Sequence, residues 1–228
     1  MSIFLELCQD VARESRTVSG TCPVVVTNQS GRLLNIVNWT IKAWEDIQQS
    51  RNAWLWMRKE FTGMTSSGTA RYTDASWNIT DFARWITDPE AITLYDQSTG
   101  VSDEGTLRDI TWAEWRRRYG RGVQTNNKPS EYAVSPQMEF CLGGIPDGVY
   151  VVNGEYYKTA QKLTDNADIP ELPIRFHQVI VHRALMYLTE SDENGVGYAA
   201  AKDHFTSMMR ELERDQLPQI SLGGGPLA

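Results

Sequence analysis

The sequence predicts an α+β fold, mainly α, in which an antiparallel helical bundle carries an inserted antiparallel β-rich region and ends in a flexible C-terminal arm. Three observations carry this expectation. Apolar residues recur at helical spacing near both ends of the chain, alternation replaces that period in the middle, and a Gly- and Pro-rich stretch follows the last helical segment. With 228 residues the chain suits one domain with a sizeable insertion, or two small ones. The expected division is a bundle from residues 1–53 and 170–216, a β-rich domain over 54–169 with a short helix near 111–119, and an arm over 217–228.

Ile3, Leu7 and Val11, flanked by Phe4 and Cys8, share one face of a short amphipathic helix, with Ser2 as its candidate cap. The span 17–31 reads as a loop around the β-branched run Val24 to Val26. A clearer helix follows to about Ser50. Ser30 can cap it; Leu34, Val37, Ile41 and Trp44 form a stripe that Leu33, Ile36, Thr40 and Ile47 widen. From Trp54 to Ile79 the period becomes strand-like, and it returns in Ala91 to Tyr95, Glu131 to Val134, Met138 to Leu142 and Gly148 to Tyr157. Gly143-Gly144, Pro146-Asp147-Gly148 and Asn153-Gly154 supply turn signals between or within these runs. TWAEWRRRY, from Thr111 to Tyr119, reads as a short embedded helix with a capping box made by Thr111 and Glu114. After DIPELP, the residues Phe176, Val179, Ile180, Ala184, Leu185 and Leu188 mark another core helix. Ala201, Phe205, Met208, Met209 and Leu212 mark the last, from about Tyr198 to Asp215. Three consecutive glycines and two prolines in LPQISLGGGPLA then exclude further regular structure and predict a flexible arm.

Charge and composition narrow the function. A net charge of −7 and a pI near 5.0 argue against a protein that grips nucleic acid by neutralising phosphates. Eight tryptophans are compatible with partner interfaces and equally with a large core. Cys8, Cys22 and Cys141 lie far apart with no zinc or redox spacing, and are read as reduced thiols. The opening MSIFLELCQDVARESR predicts neither a secretory signal nor a transit peptide, and no apolar run reaches the ~20 residues a membrane helix needs.

Catalytic and cofactor motifs are missing from the sequence. His177 and His182 miss the i, i+4 spacing of a helical metal pair, so these and His204 read as structural. No P-loop, GxGxxG or GxSxG is present, and Gly143-Gly144 reads as a hairpin turn. Paired carboxylates of the glycosidase kind cannot be traced by spacing alone. Asp10, Glu14, Glu45, Asp46 and the run Ser191 to Asn194 fall at solvent-facing helix positions or loops. Arg116, Arg117 and Arg118, with Arg121 nearby, form the single basic patch. One reading has Trp112, Trp115 and Tyr119 burying one face of their helix while the arginines stay solvated or meet acids on a neighbouring subunit; the other has them touch DNA.

The segments FLELCQDVARE, GRLLNIVNWTIKAWEDIQQSRNAWLWMRKEF, WAEWRRRYG, PDGVYVVNGEYYK, ELPIRFHQVIVHRALMYL and LERDQLP, in that order, resemble the tailed-bacteriophage head-to-tail adaptor (connector, head completion) family. The resemblance runs from about residue 3 to 218. It implies a structural virion protein, not an enzyme, with no cofactor and no metal. It implies a homo-oligomeric ring, generally of twelve copies, that binds the portal protein, joins it to a tail or nozzle protein, and gives DNA a channel for packaging and genome ejection without specific binding. No membrane contact is implied; the place is the virion's head-to-tail interface, and the host cytoplasm during assembly. An arm that embraces the portal is common in such adaptors, which points to Leu217, Gln219, Ile220, Leu222 and Leu227 as portal-binding residues. A tail terminator, a tail-tube component and a virion-associated cell-wall hydrolase are the rival readings. Tail-tube proteins are dominated by β-sheet, against four helices expected here.

Overall fold

The structure, a computed structural model, describes residues 2–15, 22–88 and 90–218. In chain order its helices and strands are α1 (Phe4–Glu14), α2 (Gly31–Gln49), β1 (Arg58–Met64), β2 (Arg71–Tyr72), β3 (Phe82–Trp85), β4 (Thr93–Asp96), β5 (Gly105–Thr106), β6 (Arg108–Asp109), α3 (Trp112–Arg118), β7 (Glu131–Val134), β8 (Phe140–Gly143), β9 (Tyr150–Lys158), α4 (Gln178–Ser191) and α5 (Gly195–Gln216). They fall into two compact units, Met1–Trp56 with Ala160–Ala228, and Met57–Thr159. The expectation of a mainly α fold built on an antiparallel bundle is corrected to a mixed α+β fold: the central strands assemble into two sheets with a core of their own.

In the first unit α4 is the hub, packed against α1, α2 and α5, while α1 also touches α2. Its role follows from composition. Val179, Ile180, Val181, Ala184, Leu185, Met186 and Leu188 are all buried, so α4 is apolar round most of its circumference and needs neighbours on several sides. α1 buries Phe4, Leu7, Cys8 and Val11; its first free N–H, on Ile3, donates to Glu6 Oε2 at 3.1 Å, so Glu6 and not the Ser2 hydroxyl serves this end. On α2 the buried face is Ile36, Val37, Thr40, Ala43, Trp44 and Ile47, rotated from the expected stripe, and Leu34 is left exposed. Thr40 is admitted to that face because its hydroxyl donates to the Ile36 carbonyl at 2.8 Å. The Val24 to Val26 run forms no strand; Val26 alone is buried, its N–H donating to Asn166 Oδ1 at 2.7 Å. α5 starts three residues before the expected Tyr198, at Gly195, because Asn194 Oδ1 accepts from the Gly197 N–H at 3.0 Å.

Several acids expected on solvent-facing positions are in fact tied down. Asp46 on α2 accepts from Arg183 Nε at 3.0 Å and Nη2 at 2.7 Å on α4, and Asp192 accepts from Arg32 Nη1 at 2.7 Å. Burial pushes the Cys8 thiol up to about 12 against the pull of its Thr40 hydrogen bond, and the Cys141 thiol up to about 11. Both stay protonated and unreactive near neutral pH.

The second unit is a sandwich with a helix on one side. β9 is the spine of the first sheet, antiparallel to β1 along one edge and to β3 and β4 along the other, with β5 beyond β4. The second sheet runs β2-β8-β7-β6, with β6 parallel to β7. Phe61, Leu94, Val152 and Tyr156 of the first sheet share one core with Tyr72, Tyr132, Phe140 and Leu142 of the second. The Asn153-Gly154 pair makes no turn; it lies inside β9, where a Cβ on Gly154 would run into Phe61 and Ile92. Trp77 and Trp85 fill the space between the sheets, their indole N–H groups donating to the Met64 and Met138 carbonyls at 3.1 and 2.7 Å.

Candidate interaction surfaces

Because side chains alternate along a strand, each sheet of the sandwich has a second face. On the second sheet that face carries Glu131, Ala133 and Cys141, and α3 covers it. Trp115 anchors the helix, buried against Ala133 and Cys141 and donating from Nε1 to the Leu142 carbonyl at 2.9 Å. The Thr111 hydroxyl accepts from the Glu114 N–H at 3.2 Å, which is half of the expected capping box. The Glu114 carboxylate turns instead to Arg118, one helical turn on.

The arginine run is split by this geometry. Arg118 lies on the Trp115 side and donates to both oxygens of Glu131 at 2.9 Å. Glu131 also accepts from the Tyr119 hydroxyl at 3.0 Å and from Arg108, which makes it the most heavily partnered carboxylate in the unit. Burial alone would raise its pKa, but the Arg108 hydrogen bond, with those from Tyr119 and Arg118, outweighs that and holds it below the usual carboxylate range. Arg118 is therefore a structural residue. Arg116 and Arg117 point the other way, exposed, and Arg121 is exposed just beyond, its carbonyl accepting from Gln124 Nε2 at 2.7 Å. None of these three guanidinium groups pairs with an acid among the described residues. Arg71 adds to this side, its guanidinium 5.5 Å from the Trp112 ring and 5.0 Å from the Trp115 ring.

The second face of the first sheet has the opposite sign. Register places Glu60 on β1 directly opposite Glu155 on β9. Together with Asp88 and Glu90 they line a concavity of about 520 Å³, whose single cation is Arg58. Arg58 is already engaged, donating from Nε to Glu155 Oε2 at 2.8 Å and lying 3.9 Å from Asp88. Glu60 and Glu90 are exposed and have no partner among the described residues. This groove was not legible beforehand. Its acids come from three stretches far apart in sequence, and the pairing of β1, β3 and β4 with β9 brings them together.

In the first unit, Arg175, Phe176, Met208, Glu211, Arg214 and Asp215 line a concavity of about 560 Å³ beside the end of α5, closed on one side by an Arg175–Asp215 ion pair. Leu217 stands at that end, half-buried, its N–H donating to the Glu213 carbonyl at 3.1 Å and its backbone already extended. Gln219, Ile220, Leu222 and Leu227 lie outside the described residues. His177 is buried, with Nε2 3.2 Å from the Leu172 carbonyl. His182 on α4 and His204 on α5 stack at 5.1 Å, a pairing across helices that sequence spacing did not suggest. No group of three or more metal-ligating side chains occurs among the described residues, and none of the described helices is long and apolar enough to cross a membrane.

What the second unit offers is two charged surfaces, one basic and one acidic, on a packed aromatic core. The sequence profile of the SU10 adaptor protein family matches residues 2–225, so the chain belongs to that family, which is one of phage head-to-tail adaptors. No curated protein matches it.

Proposed function

We propose that the protein is a structural virion component that forms a ring between the portal and the tail and leaves a channel through which DNA is packaged and ejected. The observation that carries this reading is the family match over nearly the whole chain. An adaptor role is structural rather than catalytic. Twelve copies is the expectation that the resemblance to such adaptors supports. The net charge of −7 supports a channel that lets DNA slide, because a wall of unpaired cations would hold phosphates and brake the strand. The segment from Leu217 through Gln219, Ile220, Leu222 and Leu227 is proposed as the portal-binding arm, supported by the extended backbone with which Leu217 leaves α5.

The test is to mix the purified full chain with its portal protein and follow mass by light scattering and particle shape by negative-stain imaging. A ring on one end of the portal is the expected result. If no amount of portal alters the mass of the chain, the adaptor reading is wrong.

A further inference from the structure

The two charged faces of the second unit lie on opposite sides of it. Going through the unit, the order is α3 with its exposed arginines, the second sheet, the shared aromatic core, the first sheet, and then the acidic groove. On one side, Arg116, Arg117 and Arg121 pair with no acid among the described residues. On the other, Glu60, Asp88, Glu90 and Glu155 outnumber Arg58. Like charges directly opposite on a sheet repel, and Arg58 is taken up by Glu155, so Glu60 and Glu90 leave the groove with an excess of negative charge that an added cation would relieve. Arginine suits that place, since its planar fork can bridge two carboxylates at once.

We infer that the occupant of the acidic groove is the α3 arginine face of a second copy of this chain. An inference of this kind rests on the ring reading above and says which surfaces meet in the ring. A two-fold contact would set each face against its own kind, Arg116 and Arg117 against themselves or Glu60 and Glu90 against themselves. A head-to-tail contact matches them. Repetition of a head-to-tail contact closes into a ring when its rotation divides a full turn. The pairs sit at exposed positions, so each is weak and screened by salt, and stability comes from their repetition round a closed assembly.

The experiment uses the full chain in three charge variants: R116E/R117E, E60R/E90R, and all four substitutions in one chain. All four positions are exposed, and circular dichroism with a thermal melt verifies each fold. Assembly is followed by light scattering against concentration, with and without portal, at low and high salt. Each two-residue variant is expected to need at least about tenfold more protein to assemble, as two reversed contacts of this kind imply. The four-residue chain, whose faces are exchanged, is expected to assemble within a few-fold of the original. Unchanged assembly in either two-residue variant overturns the inference and leaves the ring reading standing, as does a folded four-residue chain that fails to recover. Loss of duplex DNA binding in R116E/R117E with assembly unchanged overturns it in favour of a nucleic-acid contact. If the original chain never assembles, even on portal, the ring reading falls and this inference with it.

Discussion

Glu131 is the residue on which the α3 face depends, because it accepts from Arg118, Tyr119 and Arg108 while itself being buried. Its pKa is held low in the folded state, since burial, which raises it, is outweighed by Arg108, Tyr119 and Arg118. The unfolded chain therefore binds the proton more readily. The stability so contributed is present above the ordinary carboxylate pKa and is lost as pH falls through the depressed folded value. Glu131→Gln should flatten the acid limb of a thermal-midpoint profile, and Glu131→Ala should destabilise by about 1–3 kcal/mol by removing the acceptor of the Tyr119 hydroxyl and leaving Arg118 only its pairing with Glu114. An acid limb identical in wild type and Glu131→Gln would show that other carboxylates govern it. The split within the arginine run was legible in principle: Arg118 follows Trp115 by three positions and Glu114 by four, which places it beside both on the helix surface, within reach of the sheet that Trp115 packs on. Gly154 is a second residue with a sharp expectation. Its Cβ-free position in β9 admits Phe61 and Ile92, so Gly154→Ala should overpack the sandwich and cost about 1–3 kcal/mol, read as a lowered denaturant midpoint. A variant as stable as wild type would mean that the two side chains step aside freely.

At the scale of elements, the helices were the readable part and the sheets were readable only strand by strand. α4 and the inward residues of α5 follow from a 3.6-residue period, which is a local property. Three departures have local physical causes: Asn194 starts α5 early, Asn153-Gly154 continues a strand because Phe61 and Ile92 pack onto the glycine, and Trp54 and Trp56 stack on one another at 4.3 Å beside Trp44 rather than alternate along a strand. Pairing across the chain was out of reach, and with it the acidic groove and the His182–His204 stack. That stack makes the α4–α5 packing sensitive to pH. Burial lowers the pKa of His182, and the neighbouring His204 lowers it further. Stability from a neutral His182 is complete above the unperturbed value of about 6.5 and is lost as pH falls through the lower folded value. Glu14 faces His204 from α1 and acts in the other sense: burial, then Asp10, raises its pKa against His204 and Arg13, so its protonation on acidification favours the fold. Comparison of wild type with His182→Gln isolates the histidine. Below pH 6.5 the midpoint of wild type should fall more steeply than that of the variant, and parallel profiles would remove His182 from the account.

Taken as a whole molecule, the described part of the chain gathers most of its large apolar side chains in interior clusters. The buried residues of α5 are Ala201, Met209 and Leu212. Beyond α5 the sequence still spends apolar residues, Ile220, Leu222 and Leu227, around Gly223 to Gly225. If this segment docks on the portal, ordering it costs roughly 1–2 kcal/mol per residue in backbone entropy, to be offset by burial at about 25 cal/mol per Å² and by backbone hydrogen bonds. A balance that close gives a weak single contact. Around a ring the same contact is repeated within one rigid assembly, so each arm that docks raises the effective concentration of the rest, and a marginal contact becomes a durable joint. Removal of residues 219–228 should accordingly shift the thermal midpoint by less than about 2 °C, because no described core residue is lost, while weakening portal attachment by at least about tenfold. The two readouts separate the possible roles. A large drop in midpoint would place the segment in the fold of the chain itself, and full attachment by the truncated chain would move the portal contact to the helices, with the concavity beside Arg175 and Asp215 as the first place to mutate.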